Sequence, residues 1–353
     1  MIFQVAFRKL WLVALVGLLV VAAIGGWWWK QRTQRPAPPP VITAAPRPAE
    51  PSSVQDPLQP SRPAKLDRKR AQPSSDEWVR ARPGFQYSRS AQERGGEHPC
   101  ATQKVDTSAF EPWKGLSQGR FTAPRSGALD AQGRFNLVVH FLGDDLAQRE
   151  LILSRQNFVL YSLTVGTGTS FAPLFSGSGL FASIVSQIEK HMSEREGRPA
   201  RVGHTALSAW SAGFEGVRAV LYQPEARDVD AVILVDGLHG PREANALRTQ
   251  FTSFIDFAKR AAAEERFMFI SHSSIETYDY ASSTESAHFL IAELQGKPQP
   301  VHREDALGLE LVELFTRGDF HVRGYAGNDK ADHCAQLAVL RDAYAALGRR
   351  WSP

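Results

Sequence analysis

The sequence predicts an α/β protein built on a mainly parallel central sheet with helices on both faces, preceded by a transmembrane helix and a disordered proline-rich linker. Two observations carry the sheet. Between residue 99 and the C-terminus, short apolar runs of strand length alternate with segments of helical periodicity. The runs are apolar throughout rather than alternating, as in strands covered on both faces. A third observation separates the N-terminal part: an uncharged run, LWLVALVGLLVVAAIGGWWW, covers residues 10–29 and is followed by a stretch dense in proline.

The organisation is therefore a short flank at 1–9, a membrane segment at 10–29, a linker at 30–98 and one domain at 99–353. The apolar run has the length needed to span a bilayer. It continues through Trp27, Trp28 and Trp29 instead of ending at a small-residue cleavage site, which favours an uncleaved signal anchor. Lys30, Arg32 and Arg35 follow at once, so charge alone does not orient the segment. The linker has almost no apolar periodicity and cannot bury enough surface to repay chain ordering. The short flank, the long spacer and the two cysteines together favour an extracytoplasmic domain in a bacterial cell envelope, held by a single pass. Cys100 and Cys334 stand near the two ends of the domain, where an oxidising compartment would let them pair; two free thiols are the alternative.

The chain has 353 residues, 43% of them apolar and 22% charged, with a formal charge of +4. Part of that charge lies in the linker at Arg62, Lys65, Arg68, Lys69 and Arg70. Without an aromatic or basic recognition module it points to anionic lipid heads or wall polymers, not to nucleic acid.

Within the domain, FNLVVHFL at 135–142 and FVLYSLTV at 158–165 are buried strands, the first after the turn signal DAQG. In FASIVSQIEKHM, residues Phe181, Ile184, Val185, Ile188 and Met192 share one side at helical spacing, which makes 181–192 a crossover helix. A strand from Val202 leads into ALSAWSAGF, and a helix from Gly213 to Leu221 ends before Pro224. AVILV at 231–235 is the next strand, followed by a helix around 244–263. FMFI at 267–270, a helix at 282–294, DFHVRGY at 319–325 and a C-terminal helix at 333–347 complete the order. No internal repeat is evident.

The stretch Ala209-Trp210-Ser211-Ala212-Gly213 sits between a strand and a helix. A serine at such a turn needs small residues two before and two after it, and Ala209 and Gly213 supply them. A serine hydroxyl is a weak nucleophile unless a base, an acid that orients the base, and donors for the oxyanion stand beside it. The alternative for Ser211 is a plain helix N-cap. With the strand before it and the helix behind it, this A-x-S-x-G resembles the G-x-S-x-G elbow of the α/β-hydrolase superfamily, and the resemblance extends over about residues 130–350.

That resemblance implies a serine nucleophile at Ser211 and a base at His333, in the loop before the last helix. His321 is a rival that falls inside a strand. It implies an acid after one of two successive strands: Asp236, with Asp279 and then Glu276 as alternatives. It implies oxyanion donors at the backbone N–H of Ala212 and of Asp144 or its neighbour. His140 lies two residues from the expected His-Gly pair and is equally a core histidine. His239, His272 and His302 show no metal-ligand spacing, so neither a metal nor a cofactor is expected. VGTGTSFAPLFSGSG at 165–179 lacks the lysine of a phosphate loop and is expected at the site's rim. The function implied is a membrane-anchored serine hydrolase acting on an ester or amide bond, with a small-molecule, lipid or cell-envelope ester as substrate. An acyltransferase using the same triad, or a catalytically silent domain binding an envelope partner, are the alternatives.

Overall fold

A computed structural model describes residues 105–352, apart from 167–169, 176 and 178. The expected membrane segment at 10–29, the linker at 30–98 and Cys100 lie outside the described residues. Among the described residues, no helix is long and apolar enough to cross a membrane.

Among the described residues, ten strands form one sheet. In chain order they are β1 (Lys114–Gly115), β2 (Arg120–Thr122), β3 (Arg134–Phe141), β4 (Val159–Leu163), β5 (Arg201–Trp210), β6 (Ala231–Val235), β7 (Phe267–His272), β8 (Gln299–Glu304), β9 (Glu310–Arg317) and β10 (Phe320–Tyr325). They are arranged β1-β2-β4-β3-β5-β6-β7-β10-β9-β8. The six strands from β4 to β10 in this arrangement are mutually parallel, and an antiparallel pair closes each edge.

The helices are α1 (Asp144–Ser154), α2 (Phe171–Leu174), α3 (Leu180–Glu196), α4 (Phe214–Leu221), α5 (Ala244–Gln250), α6 (Thr252–Ala262), α7 (Ser283–Glu293), α8 (Lys330–Ala335) and α9 (Val339–Trp351). The two-residue period of the strands divides their side chains between two cores. On β6, Val232 and Leu234 join the side chains of α3, α4, α6 and α7, while Ala231, Ile233 and Val235 join those of α1 and α9. This is why AVILV reads as continuously apolar.

Several elements differ from the sequence-based expectation. The helix at 244–263 is two, broken at Phe251, whose φ of −98° and ψ of 10° leave the helical range. The expected helix at 333–347 is α8, a 3-10 turn at Gln336–Ala338 and α9. The hairpin β8–β9 and the helix α1 were not anticipated: Pro300 interrupts the one, and the other is largely polar, DDLAQRELILS. α1 is nevertheless buried through a polar contact. Glu150 accepts hydrogen bonds from Arg341 Nε and Nη2 at 3.0 and 2.8 Å and from Arg149 Nε at 2.8 Å. Burial pushes the Glu150 carboxyl up, and the two guanidinium groups oppose this.

Candidate active site

In an open parallel sheet, functional groups collect beyond the carboxyl ends of the strands. The end of β5 delivers Ser211. Trp210 is still extended (φ −113°, ψ 143°), and Ser211 turns into the left-handed region at φ 53° before a 3-10 turn and α4 carry the chain away. A non-glycine residue there stores strain that surrounding structure must hold. The hold is visible at two glycines. A Cβ on Gly213 would lie 2.1 Å from the Phe141 carbonyl oxygen, and one on Gly237 would lie 2.1 Å from that of Ser211. Gly213 thus lets the elbow press against the end of β3, and Gly237 lets the turn after β6 press against the elbow.

That second turn presents Asp236, the carboxylate expected to serve as the acid. Asp236, at φ 42°, follows β6 directly and is only 2% exposed. Its Oδ2 lies 2.7 Å from His333 Nδ1, and His333 Nε2 lies 2.9 Å from Ser211 Oγ. The three residues form one hydrogen-bonded chain. The other carboxylate oxygen, Oδ1, accepts from Ser273 N at 2.8 Å, Ser273 Oγ at 2.9 Å and Ser283 Oγ at 2.7 Å. Burial pushes the Asp236 carboxyl up, but the hydrogen bond and charge of His333 and the donors of Ser273 and Ser283 outweigh it, leaving the group below its ordinary range. It is an anion.

His333 lies on α8 rather than in a loop. Asp329 caps that helix by accepting from Asp332 N at 2.9 Å, and Asp332 reaches back to Asp329 N. Trp210 fixes the histidine from the other side. Its indole stacks on the imidazole, with centroids 4.9 Å apart and planes 29° from parallel, and its Nε1–H donates to the His333 carbonyl at 3.1 Å. Neither Trp210 nor the serines holding Asp236 were assigned roles from the sequence. Trp210 is the variable position of the elbow motif, and its neighbour His333 is 123 residues away.

The other sequence candidates sort as follows. Asp279 and Glu276 are exposed in the connection after β7, and neither carboxylate replaces Asp236 at the imidazole. His321 is buried in β10 with Nδ1 against Thr316 Oγ1 at 3.1 Å; burial lowers its pKa to about 3. His140 is a core residue. Its Nε2–H donates to the Leu142 carbonyl at 2.8 Å and its Nδ1 accepts from Ser208 at 2.7 Å, with burial lowering its pKa to about 4.

His140 thereby pins the loop expected to supply an oxyanion donor. Leu142 and Gly143 both have positive φ, and Asp144 opens α1, where helix N–H groups have no acceptor of their own. Ala212 follows Ser211 at the start of the 3-10 turn. The loop and the elbow are neighbours: a Cβ on Gly143 would touch Trp210 at 3.7 Å. The Asp144 carboxylate faces away, to Ser162, Thr164 and Arg120. Burial raises its pKa and these donors bring it below the ordinary value.

Ser211, Asp236 and His333 open onto a pocket of about 320 Å³, bounded by His239, Ile275, Thr277, Tyr280 and Lys330. Of the segment at 165–179, Phe171 and Phe175 pack edge-on against Phe141 at the end of β3, while residues 167–169, 176 and 178 lie outside the described residues. Cys334, beside His333, is buried and disulfide-bonded, and Cys100 lies outside the described residues.

No protein-family model matches the chain, and no curated protein matches it. Solved structures do show similarity. An uncharacterised protein from Capnocytophaga ochracea DSM 7271 aligns at 8% identity and a TM-score of 0.42, covering 69% of this chain and 65% of that one. The chain thus spans slightly less than two thirds of that protein. The siderophore hydrolase EstB from Aspergillus nidulans aligns at 13% identity and a TM-score of 0.40, over 71% of this chain and 98% of that one. The enterobactin hydrolase IroE, solved with DFP, aligns at 11% identity and a TM-score of 0.30, over 66% and 94%.

Proposed function

We propose that the chain is a serine hydrolase of the α/β-hydrolase type, acting on carboxylic esters through an acyl-enzyme, and that 10–29 anchors it in a bacterial membrane with the domain outside the cytoplasm. The observation that carries the chemistry is the continuous chain from Ser211 Oγ through His333 to Asp236 at a strained elbow. Each link has the polarity the reaction needs. With Nδ1–H donating to Asp236, the neutral imidazole has its lone pair on Nε2, facing the serine hydroxyl.

Ser211 Oγ attacks the carbonyl carbon of the ester while its proton passes to His333 Nε2. The carbonyl electron pair becomes an oxyanion, held by the Ala212 N–H and an N–H at the start of α1. The imidazolium is stabilised by the Asp236 anion and by the face of Trp210. Collapse of the intermediate expels the alcohol, which takes the proton from His333, and leaves the acyl group on Ser211. Water then repeats the sequence: its proton goes to His333, its oxygen to the acyl carbon, and the acid and free serine are released.

The pocket has room for a compact acyl or alcohol group, and its walls mix aromatic, aliphatic and hydroxyl side chains with Lys330. The test is covalent labelling. A fluorophosphonate should modify the full chain at Ser211, with no labelling of Ser211→Ala, and a panel of p-nitrophenyl esters should be cleaved only by the unmodified protein. Absence of labelling in the wild type would refute hydrolysis. Labelling with acyl transfer to an added alcohol outpacing hydrolysis would reassign the activity to a transferase.

A further inference from the structure

On the face of the sheet covered by α7, two histidines and a glutamate converge: His272, His288 and Glu313. The potential ligand atoms of the three lie within 4.8 Å of one another. They come from the end of β7, from α7 and from β9, at sequence spacings that carry no motif. The sheet register explains the meeting. Gly324 of β10 is paired with His272 of β7 on one side and with Glu313 of β9 on the other, so the three occupy one row across the sheet. A Cβ on Gly324 would lie 2.4 Å from Glu313 Cγ and 2.5 Å from His272 Cε1. The glycine leaves the space in which the two side chains lean together, and His288 closes it from above.

The polarity of this cluster is unusual. His272 is 1% exposed, and its Nδ1 lies 3.1 Å from both the Ser273 carbonyl oxygen and Thr284 Oγ1; Thr284 donates its own hydrogen to that carbonyl, so both neighbours present acceptors and Nδ1 carries the hydrogen. In the neutral ring, Nε2 is then a bare lone pair. It lies 2.7 Å from Glu313 Oε1, out of line for a hydrogen bond and without another partner. Two acceptors therefore face each other in a buried site. His288 Nε2 approaches the same oxygen, at 2.6 Å, from the more open side, its side chain 41% exposed. A doubly protonated His272 would remove the conflict as a buried imidazolium–carboxylate pair with Glu313, at a desolvation cost for both charges. A cation coordinated by both rings and the carboxylate removes it with neutral histidines.

We propose that His272 Nε2, His288 Nε2 and the Glu313 carboxylate bind one divalent transition-metal ion of the zinc class, with the exposed side beside His288 open to a water ligand. Two imidazoles and a carboxylate are a donor set suited to zinc, and the Ser273 carbonyl already holds the far side of the His272 ring, as carbonyls do behind metal-bound histidines. Tetrahedral ligands at zinc distances stand about 3.3 Å apart, so loading moves each imidazole nitrogen about 0.6–0.7 Å further from Glu313 Oε1 than its present 2.7 or 2.6 Å. His288, on the exposed side, has room to make that move.

The experiment uses the purified full chain with any affinity tag removed, stripped with a chelator and titrated with Co²⁺, then with Zn²⁺ in competition against a chromophoric chelator. One Co²⁺ per chain is expected, with a visible absorption band that Zn²⁺ abolishes. His288→Ala and Glu313→Gln should each weaken binding by roughly 100-fold or more, while His302→Ala binds as the wild type. His288→Ala alters a half-exposed side chain, and its unchanged far-UV circular dichroism and melting temperature in metal-free buffer will separate lost ligation from lost folding. A wild type that takes up no ion, or wild-type affinity retained in both His288→Ala and Glu313→Gln, would overturn the proposal. Neither readout depends on hydrolysis.

Discussion

Replacing Asp236 by asparagine isolates the electrostatic part of the proposed triad with almost no change in shape. In the wild type, Oδ1 accepts three hydrogen bonds from Ser273 and Ser283, and Oδ2 faces His333 Nδ1 at 2.7 Å. An asparagine oxygen has to remain with the three donors, because an amide NH₂ there would confront Ser273 N–H. The amide nitrogen therefore turns to His333. As a donor, it forces Nδ1 to become the acceptor and moves the imidazole hydrogen to Nε2, where it points at Ser211 Oγ. The base then has no lone pair for the serine proton. A wrong tautomer of this kind costs about 10⁴-fold in kcat/KM, or about 5 kcal/mol of transition-state stabilisation.

The assay is kcat/KM for a p-nitrophenyl ester at neutral pH, alongside the rate of fluorophosphonate labelling. Both should fall together, since both require the serine proton to leave. Circular dichroism should be unchanged, because all three donors to the side-chain oxygen persist. Asp279→Asn, the exposed alternative, should be silent. An Asp236→Asn enzyme within about tenfold of wild type, or a large loss in Asp279→Asn, would refute this assignment of the acid.

Three further outcomes follow from the same geometry. Trp210→Ala removes the stack on His333 and the hydrogen bond to its carbonyl; interactions of these kinds are worth about 0.5–2 and 1 kcal/mol. It should lower kcat/KM roughly 10- to 100-fold, with Trp210→Phe recovering part of the loss, as read by ester kinetics. His140, with a folded pKa of about 4 against 6.5 unfolded, takes up protons preferentially when the chain unfolds, so its contribution is unchanged above the unfolded value and destabilises as pH falls towards the folded one. Denaturant titration should show stability falling by about 2 kcal/mol on this account by about pH 5; a flat profile from neutrality to that pH would contradict a buried neutral ring. Arg341→Met leaves the buried Glu150 carboxylate with Arg149 as its remaining partner and should cost about 1.5–3 kcal/mol in stability, measured by urea denaturation, with ester turnover per folded molecule unchanged.

The parallel strands were legible because burial on both faces leaves an unmistakable apolar signature, as in AVILV and FMFI. Ser211 was legible for a different reason: the steric demands of the elbow fall on residues two positions away, within one short window. His333 could be placed by chain order, since the turn after the last parallel strand returns to the elbow. What escaped were features fixed by lateral register. Nothing near Trp210 in the sequence announces that it stacks on a ring 123 positions later, and nothing near Glu313 announces His272. The hairpin that carries Glu313 was missed because its outer strand, QPVHRE, is half-exposed and contains proline, which removes the apolar signature and one backbone donor.

The β7–α7 connection gives these separate observations a common physical basis. A carboxylate as buried as Asp236 is costly unless both oxygens are satisfied. The imidazole satisfies one; the other depends on Ser273 at the start of the connection and Ser283 at its end. Those serines are themselves held in place. Ser282 caps α7 by accepting from Glu285 N at 3.1 Å while Glu285 returns a bond to Ser282 N at 2.7 Å, and Thr284 donates to the Ser273 carbonyl at 2.6 Å. That same carbonyl fixes the tautomer of His272. The residues that keep Asp236 charged and those that aim His272 at Glu313 therefore belong to one hydrogen-bonded corner, at the point where parallel β7 leaves the sheet and α7 begins. Asp236 keeps its donors because they are hydrogen-bonded from behind, so its anionic state does not depend on solvent entering the pocket.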